Sequence, residues 1–472
     1  MGPGITPGGD DPPVSPGGFA EEVDILGSGG PRIGADEWVA RQGQRGEQLD
    51  TVLNQLGKRV GWWPRLAIAG AVGALLPVAG MGGFQLQVGI DSLVFALLAI
   101  GLNVVVGWAG ALDLGYVAFF GVGAYGFALV SSAQVGIHIP AYLSAPGVMA
   151  AAALLGVVVG LPSGRLVGDY LAIITLFFGE AFVEFTNNVR PDIFGGANGI
   201  PALDPLKGFG IQLTSNTSYY YLLIVVVVLV MSVLRLLEHS RTGRAWRAVR
   251  EDPLAAEAMT IPVHRLRLYA FAAGAAIAAL AGEIFAAQQI SVFPTNFDTP
   301  VLILVYAGLI LGGTGSLAGA LVGMLVVEIT YDGLLRSPVE ARYVFYGVIV
   351  VTLLARLRPW RRLLLVCAAT AALGAAAWAC GHAAGFPGNP VVAGNWGFVL
   401  LIVALIGLVQ ASVTQRTYLI PPVLVLAAFV WENRLVTEPS ITRQLMIGAI
   451  LIVMMIARPQ GLLGSRRVEV SE

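Results

Sequence analysis

The sequence predicts an all-α fold, a polytopic transmembrane helical bundle of roughly 10–14 membrane segments. Three observations carry this prediction. The 472-residue chain is 56% hydrophobic and 12% charged, with a mean hydropathy of +0.76. Apolar runs recur that are long enough to cross a hydrocarbon core of about 30 Å at about 1.5 Å per residue. A single dense charged island, 240–267, breaks the pattern. Soluble domains do not have this composition. The formal net charge is −1 and no basic tract is present, so the sequence carries no nucleic-acid signature. Cys367 and Cys380 lie in one apolar run, roughly 20 Å apart along a helix, too far to bridge. The four histidines have no metal-ligand spacing.

Taken in order, 1–35 is rich in Gly, Pro and Asp and reads as disordered. Residues 36–60 allow one soluble helix with Trp38, Leu49, Val52, Leu53 and Leu56 on a rough apolar face; with 1–35 they form a cytoplasmic tail. Membrane segments follow at 64–82, 86–106, 111–133, 141–162, 169–187, 219–237, 268–288, 299–313, 316–335, 343–357, 363–381, 395–413, 417–432 and 443–457. The segment at 299–313 is short and ends in Gly312 and Gly313, as a half-helix would. Placing the N-terminus inside leaves only Arg190, Lys207, Arg336, Arg342, Arg434 and Arg443 outside. The remaining Arg and Lys near segment ends, including the whole island, fall inside, so the bias favours both termini in the cytoplasm. The predicted organisation is a tail (1–60), a transmembrane core (61–357), added membrane segments (358–442), and a last helix with a cytoplasmic end (443–472).

The island cannot lie in hydrocarbon, where each central Arg or Asp costs roughly 2.5–3.5 kcal/mol. Residues 243–251 suit a short helix with Arg244, Arg247 and Arg250 three apart. Asp252 and Pro253 then suit the cap and first position of a second helix. Leu254, Ala258 and Ile261 follow at helical spacing, and Ala255, Ala256 and Ala258 are small enough for close approach. Such a ridge, flanked by Glu251, Glu257 and Met259, fits a partner's groove. A solvated loop that only orients the protein has the same composition.

Four polar residues stand out in the apolar segments as candidates for a translocation path: Asn103, Asp113, Glu180 and Glu283. Each has a plainer reading. Asp113 fits a wet turn between two segments, and the glutamates fit hydrogen bonds between packed helices. The run LGGTGSLAG at 311–319 marks an interrupted segment, which membranes tolerate where it is buried in protein or lines a cavity. It lacks the Lys of a phosphate-binding loop, and no such loop occurs in the chain.

The runs 101–125 (GLNVVVGWAGALDLGYVAFFGVGAY), 168–180 (GDYLAIITLFFGE), 187–201 and 251–259 (EDPLAAEAM) resemble the branched-chain amino acid ABC permeases of the LivM type. The sequence departs from that pattern at Thr260, where the family usually carries Gly, and at Phe177, also usually Gly. The resemblance covers roughly 86–345 and 443–464, ending in RPQGLLG, and leaves 358–442 as an insertion. It implies a permease subunit that is not an enzyme and binds no cofactor, with ATP hydrolysed by separate ABC ATPase subunits docked on Arg244, Arg247, Arg250, Glu251, Asp252, Ala255, Ala256, Glu257 and Met259. It also implies a second, homologous permease subunit, an extracytoplasmic substrate-binding protein, and residence in the lipid bilayer of a bacterial or archaeal cytoplasmic membrane. Open alternatives are an ABC permease for sugars, nucleosides or urea, a proton-coupled secondary transporter using Glu180 or Glu283, and a membrane scaffold.

Overall fold

The computed structural model describes residues 61–336 apart from 79, 133–135, 137, 165–168 and 209–210; beyond 336 it describes 343, 346, 368–370, 372–373, 396–405, 413–437, 443–444, 447–448, 451–452 and 461–463. The predicted tail and most of the segments at 343–357, 363–381 and 443–457 therefore lie outside the described residues. The chain divides into two compact units, 1–69 and 70–472, and the helices from α2 onward belong to the second.

The described fold is helical. Its long elements are α1 (Trp62–Leu75), α2 (Gly83–Leu102), α3 (Tyr116–Ser131), α4 (Ala141–Gly160), α5 (Asp169–Asn188) and α6 (Asn216–His239). Two short helices, α7 (Arg241–Glu251) and α8 (Pro253–Ala258), precede α9 (Val263–Gln289), α10 (Thr299–Gly312), α11 (Leu317–Glu328) and α12 (Val413–Thr437). Helices α2 and α11 each run on into a π-helical turn, Asn103–Trp108 and Ile329–Leu334. Among the described residues, 7 helical stretches are long and apolar enough to span a membrane, and Tyr116–Ser131, Trp396–Leu405 and Leu419–Trp431 are shorter apolar helices.

The Ala-rich α9 is the hub, buried along most of its length and packed on α2, α3 and α4. Small residues permit this closeness. The backbone of Ala279 lies against Gly123, that of Phe271 against Gly156, and that of Phe120 against Gly282. In lipid, van der Waals contact of this kind replaces the hydrophobic drive between helices. The hairpin α10–α11 closes similarly, with Gly308 and Gly312 against Gly323.

Several predicted boundaries shift; the segment expected at 64–82, for example, is helical only to Leu75. The segment expected at 111–133 becomes helical only at Tyr116, because Gly110 takes a positive φ of 68° and 109–115 forms a turn. Helix α10 stops at Gly312 as expected, and Gly313 follows at φ 111°; with the turn before it, however, Pro294–Gly312 is 19 residues long, enough to span, and so is not the half-helix expected at 299–313.

The bundle has two distinct ends. At one, Ile200–Pro201 pairs antiparallel with Ser291–Val292, the Asp204 amide donates to the Ser131 carbonyl, and the Leu206 amide donates to the Tyr219 hydroxyl at the start of α6. The island sits at the other, beyond the 24 residues of α6.

Candidate functional site

Ser240 ends α6 and caps α7: its hydroxyl accepts from the Gly243 amide at 3.3 Å. Within α7, Gly243, Trp246 and Val249 recur every third residue and form the buried face. The Trp246 indole donates to the Leu266 carbonyl at 2.7 Å and stacks on Trp108, ring centres 6.0 Å apart. The island is thus anchored to the ends of α9 and α2.

Its arginines fold back onto the chain. Arg244 donates to the His239 carbonyl at 2.8 Å and Arg247 to that of Glu238 at 3.0 Å. Both satisfy the last carbonyls of α6, where cations also suit the helix dipole. Arg250 reaches further. Its guanidinium donates to the Gly107 carbonyl in the π-turn of α2 and to the Thr314 hydroxyl, at 3.3 Å, in the glycine break. A single side chain therefore ties the island to two membrane elements.

The break is braced from all sides. Asn103 accepts from the Gly315 amide at 2.7 Å, and Trp108 donates to the Gly315 carbonyl at 3.2 Å. Gly315 has φ 91°, and a Cβ there would collide with Arg250. The amides of Leu462 and Leu463 bond to the carbonyls of Leu311 and Gly312 at 2.8 and 2.9 Å, so residues 461–463 rejoin the core here.

Asp252 caps α8 as the sequence predicts, accepting from Leu254 and Ala255 at 2.9 and 3.1 Å. The helix closes in a Schellman motif: Ile261 bonds to Ala256 and Thr260 to Glu257. Thr260 fills the left-handed position at φ 63°. Of the residues expected on a presented ridge, Ala256 is instead 3% exposed, covered by its own chain. The outward face is built from Leu254 and Met259, 79% and 75% exposed, with Glu251, Ala255 and Glu257 beside them.

The four path candidates do not meet. Asn103 is fully buried and braces the glycine break. Asp113 does occupy a turn, but that turn is dry: the carboxylate has no exposure and accepts from the Gly115 amide at 3.0 Å. The wet-turn expectation fails because α5 and α10 close over it, with Thr175 bonding Leu114 and Tyr306 bonding the Asp113 carbonyl. Glu180 is exposed on α5 and accepts from Thr299. Glu283 is buried and accepts from Ser144 of α4 at 2.6 Å, a helix-to-helix bond.

A cavity of about 370 Å³ lies elsewhere, toward the end opposite the island. Phe95, Phe120, Phe285, Leu304, Ile447 and Leu451 form apolar wall, while Asp91, Glu328 and Asp332 form an acidic side. The sequence reading passed over these three carboxylates. The signal was present: Asp91 and Glu328 each interrupt a predicted span, the same criterion that singled out Glu283.

The branched-chain amino acid transport system / permease component family matches residues 86–354, more than half of the chain. The chain belongs to this family. It is 34% identical over 287 residues to the high-affinity branched-chain amino acid transport system permease protein LivM of Escherichia coli K12, covering 56% of this chain and 66% of that one. The Salmonella typhimurium LivM protein is 33% identical over 310 residues, 60% of this chain and 72% of its own. The E. coli LivH permease protein is 26% identical over 279 residues, 55% and 88%. The chain spans roughly two thirds of the length of the LivM relatives it matches. No solved structure matches it. As a permease component it is an integral membrane protein and one part of a transport system, not an enzyme.

Proposed function

We propose that this permease is the membrane subunit of an ATP-driven importer for branched-chain or related small amino acids. In this reading ABC ATPase subunits dock on α7 and α8, a homologous second permease completes the path, and an extracytoplasmic binding protein delivers substrate near 188–215. Both termini are cytoplasmic, and 358–442 adds an even number of spans.

The observation that carries the reading is the link through Arg250. Helices α7 and α8 present Leu254 and Met259 outward, while Arg250, from the same unit, holds Gly107 and Thr314. A displacement of the docked pair would reach the interrupted hairpin directly, so the geometry suits transmission of ATPase closure. The LivM and LivH relatives are named for branched-chain amino acid transport, which supports the substrate class.

Leu254→Asp tests the docking. It leaves the buried face of the island intact and places a carboxylate in the contact, so the permease inserts normally but fails to co-purify with its ATPase. Burying an unpaired charge costs several kcal/mol. Full ATPase binding and full uptake in vesicles by this variant would reduce the island to a topology signal. Ala256→Glu does not serve as this test, because Ala256 is buried within the chain.

A further inference from the structure

The acidic cavity has a feature that packing does not explain. Asp332 is paired with Arg336 at 3.3 Å and Arg443 at 3.5 Å. Asp91 accepts from the Gln87 amide at 3.2 and 3.1 Å, and Gln87 is itself fixed by Gln288 at 2.9 Å. Glu328 differs: it is 3% exposed, lines the cavity, and its Oε2 has no hydrogen-bond partner among the described residues. Among the described residues, three carboxyl groups face two guanidiniums, and both guanidiniums are engaged by Asp332. A buried carboxyl oxygen in an aromatic-walled cavity with no described partner lacks a donor, which an ammonium group would supply. The volume falls within the range of about 300–1,000 Å³ usual for small-molecule sites.

We propose that this cavity is a substrate station, in which Glu328 and Asp91 receive the ammonium group of an amino acid and Phe95, Phe120 and Phe285 pack its apolar side chain. Glu328 supplies the open acceptor, and Asp91 keeps acceptor capacity beyond its bonds to Gln87. Thr295, Asn296 and Gln444 offer neutral donors on the cavity wall for the carboxylate. Glu328 lies eleven residues into α11 from Leu317, about 16 Å from the glycine break. The station and the Arg250 link thus occupy different levels of one hairpin, so movement at the break reaches the cavity along α11. The proposal rests on the permease reading and names the group that the membrane path recognises.

The test uses the complete transporter in proteoliposomes. Val301→Cys, on the cavity wall, is labelled from outside with a methanethiosulfonate reagent, and modification of that peptide is followed by mass spectrometry. Two leucine analogues serve as probes: 3-methylbutylamine, which keeps the ammonium, and 4-methylpentanoate, which keeps only the carboxylate. The amine is expected to protect the cysteine and the acid to leave labelling unchanged. Glu328→Gln should weaken protection by the amine roughly tenfold, the loss of one charge-assisted bond. Equal protection by both analogues, or by neither, overturns the station whether or not the Gln variant assembles. Leucine uptake by the parent complex is measured separately. Uptake with no ammonium preference in the cavity overturns the station and leaves the permease reading standing. A parent complex that moves no branched-chain amino acid overturns the permease reading, and the analogue comparison still decides what the cavity binds.

Discussion

At the scale of single residues, the island's charges hold the chain together before they serve any partner. Arg244 and Arg247 end α6, whereas Arg250 crosses from the loop to Gly107 and Thr314. Arg250→Ala removes charge-assisted bonds to two elements while leaving the outward face of α8 untouched. Transport is expected to fall roughly tenfold or more with ATPase co-purification retained. Arg250→Lys should not rescue it, because one ammonium lacks the planar fork that serves two acceptors. Undiminished uptake by Arg250→Ala would remove the proposed link. Asp113 behaves oppositely. Its carboxyl group is fully buried with one bond, from the Gly115 amide. Asp113→Asn keeps the accepting oxygen, so thermal unfolding in detergent should change by less than about 1 kcal/mol, with uptake retained.

At the scale of elements, the pair α7–α8 is a rigid unit with one buried and one open face. Caps at Ser240 and Asp252 start its two helices, and the Schellman turn at Thr260 stops the second. Thr260 is β-branched in a left-handed conformation at φ 63°, a strain of about 1–2 kcal/mol that Gly does not bear. Thr260→Gly should therefore raise thermal stability by up to about 1 kcal/mol, after the extra chain entropy of Gly is subtracted. A lower melting temperature for this variant would show that the threonine makes compensating contacts. The cap at Asp252–Pro253 was legible because it acts through local geometry alone; the sequence reading started the first helix at 243 and missed the Ser240 cap, which starts it at Arg241. The orientation of α8 was not, because Ala256 and Leu254 are both apolar and only the packed surroundings decide which turns inward.

At the scale of the whole molecule, the helices alternate between an island end and an end built from 188–215 and Ser291–Val292. Reporter fusions after Arg250 and after Arg467 should both report cytoplasm, and one within 195–215 should report the outside. A cytoplasmic signal from 195–215 would overturn the proposed orientation. An outside signal after Arg467 would show that 358–442 adds an odd number of spans. Residues near the end of the chain return to the core, with Ile447 and Leu451 on the cavity wall and Leu462 bonded to Leu311.

The sequence by itself determined the all-helical membrane class, the island, the glycine stop after 312 and the family resemblance. These follow from local hydropathy, charge density and turn chemistry, which act over a few residues. Tertiary structure alone decided what the polar residues inside the membrane do. Asn103 and Gly315 are 212 positions apart, and Arg250 and Gly107 are separated by 143. Asp91 and Glu328 meet only because α2 packs on α11. Spacing along a chain does not encode such distant approaches; the close packing that small residues allow brings them about.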